Sequence, residues 1–478
     1  MRSGTRSGLG GMGFAVALLA PLTRAEAGPT ELPGGLAPPV VEPSPDEPGT
    51  PAERHARSLQ AEVTRLRNLP FKDPVVIRTR TSGELRDRLL EDLAEEYPPS
   101  RVEAVQKAGV RLGFFPPGFD FHRTLSDLLT EQIAGFYDPK RKELCLVDRA
   151  AASGLEKLAE GLLEMMSGLQ ASDIYAIHEL THAAQDQHFD LETLPIEVRD
   201  EDDLVMAVKS VVEGDATYVM FDALARSMGQ TVDSMSTRGM GAGAVPLGGA
   251  ADRAPEYLKQ SLVFPYFAGL HFIQQARRRG GWERVDALYA DLPASTEQVL
   301  HPEKFLGPDR DLPQRLSWGE LEALPGSAWM RLESNVLGEF GLRQWLKARG
   351  VRIGANRFAA GWDGDRYHVY QAKEGGRLLL LLATTWDSAD EAAGFTDALS
   401  EPMDDAASGR IDGPAGWRGW RRANGEQFWL VPGGSDVLVI DGWTGGEVPE
   451  RLVAEWRNGL RREEIRRVAR VPRKPRKP

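Results

Sequence analysis

The sequence predicts an α+β protein: a mainly helical domain with a small β-hairpin or sheet, followed by a small C-terminal α+β domain. Three observations carry this. Helical periodicity with matched start signals recurs through residues 53–334, two β-like runs flank Asp138-Pro139-Lys140, and from about residue 335 strand-like apolar runs take over. With 478 residues, 41% of them apolar, the chain has material for a large core and two or three domains.

The first segment, residues 1–27, has Arg2 and Arg6, an apolar stretch from Leu9 to Leu22 and a small-x-small site at Ala25-Glu26-Ala27. This reads as a secretory signal peptide cut after Ala27, because the stretch is glycine-diluted and shorter than the ~20 residues of a bilayer span. Export to the periplasm or beyond is the expectation, with no transmembrane segment in the mature form. Cleavage removes three arginines and one glutamate, taking the formal charge from −12 to −14, which argues against nucleic acid as a partner. Cys145, the single cysteine, cannot form an intrachain disulfide, and in "ELCLV" it reads as a core residue.

Residues 28–52 hold eight prolines and read as an extended linker. Beyond it, Thr81 with Glu84 and Ser100 with Glu103 have capping-box spacing and predict helices over 83–96 and 101–112. A short helix over 124–132 leads into the "IAGFYD" and "ELCLV" hairpin. Helices follow over 154–168, 173–188 and 204–226, the last opened by the acidic run "RDEDD", which suits the positive end of a helix dipole. Residues 227–254, rich in Gly, Ser and Met, read as a loop, and helices resume over 255–278 and 282–291. "PASTEQVL" carries a further cap. The small α+β domain is placed at 335–456, from the strands "RYHVYQ", "RLLLLLATT", "EQFWLV" and "DVLVID" and the helix "SADEAAGFTDAL". The end, 457–478, reads as a helix fading into a basic, solvated tail.

Chemistry concentrates in "SDIYAIHELTHAAQDQHFDL", residues 172–191. His178 and His182, four apart, fall on one helical face, where two imidazoles can converge on one Zn2+ at ~2.0–2.1 Å. Glu179 projects from the flank of that face, placed to take a proton from a zinc-activated water as general base. A catalytic zinc needs a third protein ligand. One candidate is His188, which completes the metzincin spacing; Gln185 stands where that pattern needs a helix-breaking glycine, and left-handed geometry there would cost about 1–2 kcal/mol. The other is Glu213 in "AVKSVVEGDATYVM", on the edge of its helix's apolar stripe, where metal ligation competes with a simple Lys209–Glu213 pair. Asp215 lies on nearly the opposite side of that helix.

"HELTHAAQDQHFDL" followed by "EGDA" resembles the HExxH zincins of the glutamate type, the thermolysin-like peptidases. More narrowly, with "STEQVLHPEK", it resembles a poorly characterised group of exported bacterial zincin-like proteins. The resemblance spans about residues 70–310 and implies His178, His182 and Glu213 as zinc ligands with Glu179 as base. It departs at Thr217, which stands where the thermolysin pattern has an aspartate. The expected activity is zinc-dependent hydrolysis of a peptide or protein substrate; the hairpin is the candidate for the strand that holds it, with ordinary hairpin packing as the equal alternative, and Tyr218, His188, His271 or His301 are unranked oxyanion donors. A second expectation is a non-catalytic zincin-like scaffold with structural metal. It would bind a protein or cell-envelope partner through the tryptophan-rich end: Trp362, Trp386, Trp417, Trp420, Trp429 and Trp443.

Overall fold

A computed structural model describes residues 49–131, 135–147, 171–238, 250, 253–446 and 448–473. The expected signal peptide, almost all of the linker, the expected helix over 154–168 and much of the 227–254 loop lie outside these residues. The described chain is a mixed α+β fold, as the sequence predicts.

It opens with a helix, Pro51–Arg67, that the sequence does not announce and whose first two residues fall within the expected 28–52 linker. Thr50 caps it in a full capping box with Glu53, and Ala56, Leu59 and Val63 form its buried stripe. Strand β1 (Val76–Arg80) follows. Thr81 caps the Ser82–Glu96 helix as expected, with Glu84 reaching back. The Ser100–Glu103 box is not used. That helix starts earlier, at Pro99, and Glu103 instead pairs with Lys107 at 2.5 Å, because proline already supplies the helical φ of the first turn. The Phe121–Glu131 helix then leads to the hairpin of β2 (Gly135–Asp138) and β3 (Glu143–Val147), in register Asp138↔Glu143. β1 joins β3 in parallel, giving a three-stranded sheet in the order β1-β3-β2.

Three long helices follow in layers: Ala171–Phe189 packs on this sheet, Asp202–Ser227 on that helix, and Glu256–Leu288 on Asp202–Ser227. The last of the three is two helices joined at Gly280 and Gly281, where Gly281 has φ 64°. The second and third touch backbone to backbone: a Cβ at Gly214 would lie 2.3 Å from Gly269 C, and one at Gly269 would lie 2.2 Å from Ser210 O. Gly214 therefore serves the close approach of the Glu256–Leu288 helix.

After β4 (Gln314–Ser317) comes a seven-stranded antiparallel sheet in the order β5-β6-β7-β11-β10-β9-β8. Its strands are β5 (Trp329–Asn335), β6 (Trp362–Ala372), β7 (Leu378–Trp386), β8 (Gly409–Ile411), β9 (Arg418–Arg421), β10 (Gln427–Gly433) and β11 (Asp436–Trp443). Its first strand thus starts before the expected boundary at 335. The helices Gly338–Ala348 and Ala389–Ala406 cover one face through Trp345, Phe395 and Leu399; Glu450–Gly459 covers the other through Leu452, Val453 and Trp456. Burial on both faces explains the unbroken apolar run of β7.

The chain end departs from its expectation. Arg461–Glu464 is a strand, β12, paired with β4, and not a helix. The basic segment after it docks on the helical part. Val471 N–H donates to Thr193 O (2.8 Å), and the Arg470 guanidinium donates to Phe189 O (2.6 Å) and Tyr289 O (2.7 Å). The "STEQVLHPEK" stretch is a latch between the two parts. Asp203 accepts from Thr296 N–H (3.0 Å), Thr296 Oγ1 accepts from Phe340 N–H (3.1 Å), and Lys304 pairs with Glu297, Asp311 and Asp387 at 2.6–2.7 Å.

Candidate metal centre

The Ala171–Phe189 helix lies in the core because Ile174, Ile177, Leu180 and Ala183 are all buried, and complete burial of each large aliphatic side chain contributes about 1.5–3 kcal/mol. Its partners include Ala56, Leu59 and Val63 of the first helix and Val219 and Ala223 of the Asp202–Ser227 helix. This packing leaves the histidine face against the Asp202–Ser227 helix. His178, Glu179 and His182 are each at most 3% exposed and Glu213 is 8% exposed.

Three donor atoms converge there. His178 Nε2 and His182 Nε2 are 3.1 Å apart, and Glu213 Oε2 lies 3.3 Å from the first and 3.4 Å from the second. Ligands held at ~2.0–2.1 Å by a tetrahedral ion stand roughly 3.3–3.4 Å from one another, so this triangle matches the edge of such a site. Glu179 has an oxygen within 4.8 Å of both rings, but its Oε2 is already used, accepting from Tyr137 N–H at 2.7 Å. Glu213 is thus the better-placed third donor.

Outer partners fix the centre. His182 Nδ1 is 2.8 Å from Gln185 Oε1, and Gln185 Nε2 donates to Val212 O at 3.1 Å. Gln185 therefore holds the proton of His182 on Nδ1, leaves the Nε2 lone pair facing Glu213, and ties the histidine helix to the residue before Glu213. On the hairpin side, Asp186 accepts from Tyr137 OH (2.8 Å) and pairs with Lys142 (2.6 Å), seating β2 along the helix.

The electrostatics follow from burial. Desolvation pushes the Glu179 carboxyl up to about 8. Burial would raise Glu213 as well, but the adjacent His182 and His178 outweigh it and hold the carboxyl well below its usual range. His178 is pushed down by burial, whereas at His182 the Glu213 carboxylate overrides burial and raises it. Among the described residues, His178 Nδ1, Glu179 Oε1 and Thr217 Oγ1 of this centre have no hydrogen-bond partner. Two imidazole nitrogens and one carboxylate oxygen are a donor set that suits zinc, and an unpartnered oxygen on Glu179 leaves that residue one acceptor to use.

A cavity of about 280 Å³ reaches Glu213 from outside. Phe114, Phe115 and Leu125 form part of its apolar wall, and Glu333, Asn335 and Tyr367 of β5 and β6 form another side.

The remaining expected residues lie elsewhere. The Ala171–Phe189 helix continues unbroken through Gln185, so His188 points away and meets Pro70 O at 2.7 Å. The Lys209–Glu213 pair does not form, because Glu213 faces the rings. Asp215 pairs with Arg67 (2.7 Å) and accepts from Tyr289 OH (2.8 Å), on the far side of its helix. Tyr218 OH accepts from Arg277, His271 meets Thr237 and His301 meets Glu339; none of these three lines the cavity with Glu213. Tyr266 does, and its ring lies 5.9 Å from that of His178. The sequence reading missed both Tyr266 and Gln185. Gln185 was legible as a polar residue three positions after His182 on a buried face. Trp362, Trp386, Trp420 and Trp429 are core residues, and Trp417 and Trp443 are half-buried, so the tryptophans do not form an exposed recognition surface. Cys145 is buried against Leu85 and Phe136, and burial raises its thiol pKa.

Residues 328–451 match a family described as "Domain of unknown function (DUF8575)". No match was found among curated proteins or among solved structures. Among the described residues, no helix is long and apolar enough to cross a membrane.

Proposed function

We propose that this chain is an exported zinc-dependent peptidase with a zincin-like helical domain, in which His178, His182 and Glu213 hold the metal and Glu179 is the general base. The observation that carries the reading is the triangle of His178 Nε2, His182 Nε2 and Glu213 Oε2, with 3.1–3.4 Å edges, buried between two helices. When bound, zinc supplies a Lewis acid that polarises a carbonyl and acidifies water.

The chain's own groups do the rest. Tyr137 N–H fixes one oxygen of Glu179 and leaves Oε1 to accept a proton from the attacking water. The proton taken up on Oε1 is delivered to the leaving amine nitrogen once water has added to the carbonyl carbon, and the C–N bond then breaks. Gln185 orients His182, and burial excludes bulk water from the helix interface. The amide of Tyr137, on the edge of β2, is spent on Glu179 and is not offered to a substrate strand. That narrows the role expected for the hairpin to positioning the base.

The test is to purify the mature protein, measure bound zinc and compare peptide hydrolysis by wild type and Glu179→Gln. The reading expects zinc in both and a rate loss of about 100-fold or more in the variant. Equal rates would remove the peptidase and leave a zinc-binding scaffold.

A further inference from the structure

Besides Glu213, the same helix offers Asp202 and Lys209 to the cavity. Lys209 stands one turn before Glu213, is half-buried and lines the same chamber. Among the described residues no hydrogen bond or ion pair reaches its ammonium. Glu213 is turned to the histidines, and Asp202, two turns back, acts on Lys209 only through space. The neighbouring wall is apolar, with Phe114, Phe115, Leu258 and Leu262. Further out, the Arg101 guanidinium lies 5.0 Å over the Tyr97 ring and makes no ion pair among the described residues. Glu333 faces the chamber from the sheet side, and Glu96, Glu197 and Arg199 also line it. A partly desolvated ammonium costs free energy unless an anion meets it. The chamber therefore combines an ammonium that makes no hydrogen bond or ion pair among the described residues with space for an apolar group.

Spacing sets what the anion belongs to. Four helical residues advance about 6 Å, and each residue of extended peptide spans roughly 3.3–3.6 Å. A carboxylate on Lys209 consequently lies about two residues from a carbonyl held at the His178–His182–Glu213 centre. We propose that the cavity is a subsite for the C-terminal end of a peptide: its free α-carboxylate meets Lys209, an apolar side chain packs on the Phe114–Phe115 wall, and the bond cut lies one or two residues from the chain end. The inference rests on the peptidase reading. The reaction is the same hydrolysis: water adds across the C–N bond and releases a short apolar product with a new amine. An internal stretch of polypeptide presents no anion at that position.

The experiment uses the mature chain with Glu179→Gln to prevent turnover. It measures by calorimetry the binding of an N-acetylated peptide ending in phenylalanine, as the free acid and as the amide. The acid is expected to bind about ten-fold or more tightly, the range of a hydrogen bond to a charged group. Adding Lys209→Met removes that preference without moving the urea midpoint, and Lys209→Arg retains most of it. Equal binding of acid and amide, a preference that survives Lys209→Met, or no binding of either form overturns the proposal. The two readings fail separately. If wild type cuts amidated peptides internally with no acid preference, the subsite falls and the peptidase stands. If the acid is preferred in binding but wild type cleaves no peptide, the peptidase falls and the anion subsite stands.

Discussion

Two buried carboxylates, Glu213 and Asp441, show opposite ways of keeping charge inside this protein. Asp441, fully buried in β11, is ringed by Arg111, Arg349 and Arg422, with Arg111 and Arg349 each at 2.8 Å. Glu213 faces two imidazoles that are also packed against each other, beside a glutamate with an unpartnered oxygen. The first cluster meets its carboxylate with three permanent cations and joins the Pro99–Leu112 helix to the sheet, while Asp441 Oδ2 and Arg349 Nε make no hydrogen bond among the described residues. The second gathers two imidazoles and two carboxylates with no permanent cation among them. The difference teaches that burial of ionisable groups identifies nothing alone; what matters is whether permanent cations within the protein meet the buried charge.

Breaking the Asp441 cluster should give the largest effect. Asp441→Asn leaves three arginines facing a neutral amide and is expected to destabilise the fold by about 3–5 kcal/mol, read from urea unfolding, with zinc stoichiometry unchanged in the folded fraction. A loss below about 1 kcal/mol would mean that Glu426, which also pairs with Arg111 and Arg422, carries the junction.

The histidine cluster responds to subtler changes. Gln185→Met keeps side-chain volume but removes the partner of His182 Nδ1, so zinc affinity should fall about 10- to 100-fold in competition with a chelator. An unaltered affinity would show that Gln185 serves only helix packing through Val212 O.

Acid should separate the two regions. Burial alone would raise Asp441, but Arg349, Arg111 and Arg422 outweigh it and hold the carboxyl at about 2, below its ordinary 3.8. A folded-state pKa below the unfolded one gives stabilisation that is complete above pH 3.8 and is lost as the pH falls through about 2. Ligand histidines must instead be neutral to bind metal, so zinc should leave as the pH falls through roughly 6 to 5. Zinc release should therefore precede the loss of tryptophan near-ultraviolet dichroism from the sheet by about two pH units. Coincident transitions would mean that the metal and the sheet are one cooperative unit.

Much of this was legible in the sequence, for definable reasons. The histidine pair and its glutamate follow from helical spacing alone, and the Thr81 cap, the hairpin and the β7 run follow from local rules. The strand β1 was missed because "VIRTR" is short and half-charged, and its pairing with β3 in parallel is a long-range event. The start of the Pro51–Arg67 helix was hidden by proline, which reads as linker yet begins helices. The Ser100 box failed because Pro98 and Pro99 set the helix start first. Gln185, Tyr266 and the place of Lys209 in the cavity depend on which helices face one another, which no single window of sequence records. The C-terminal "RREE" reads as helix by propensity, and only its partner β4 makes it a strand.

Direct titration of zinc into metal-free wild type and Glu213→Gln, with a chromophoric chelator as competitor, tests the central claim most directly. The account predicts one tight site per chain in wild type and at least about ten-fold weaker binding in the variant, with both proteins equally folded before metal is added. Equal affinity in the two proteins, or no tight site in wild type, would contradict it.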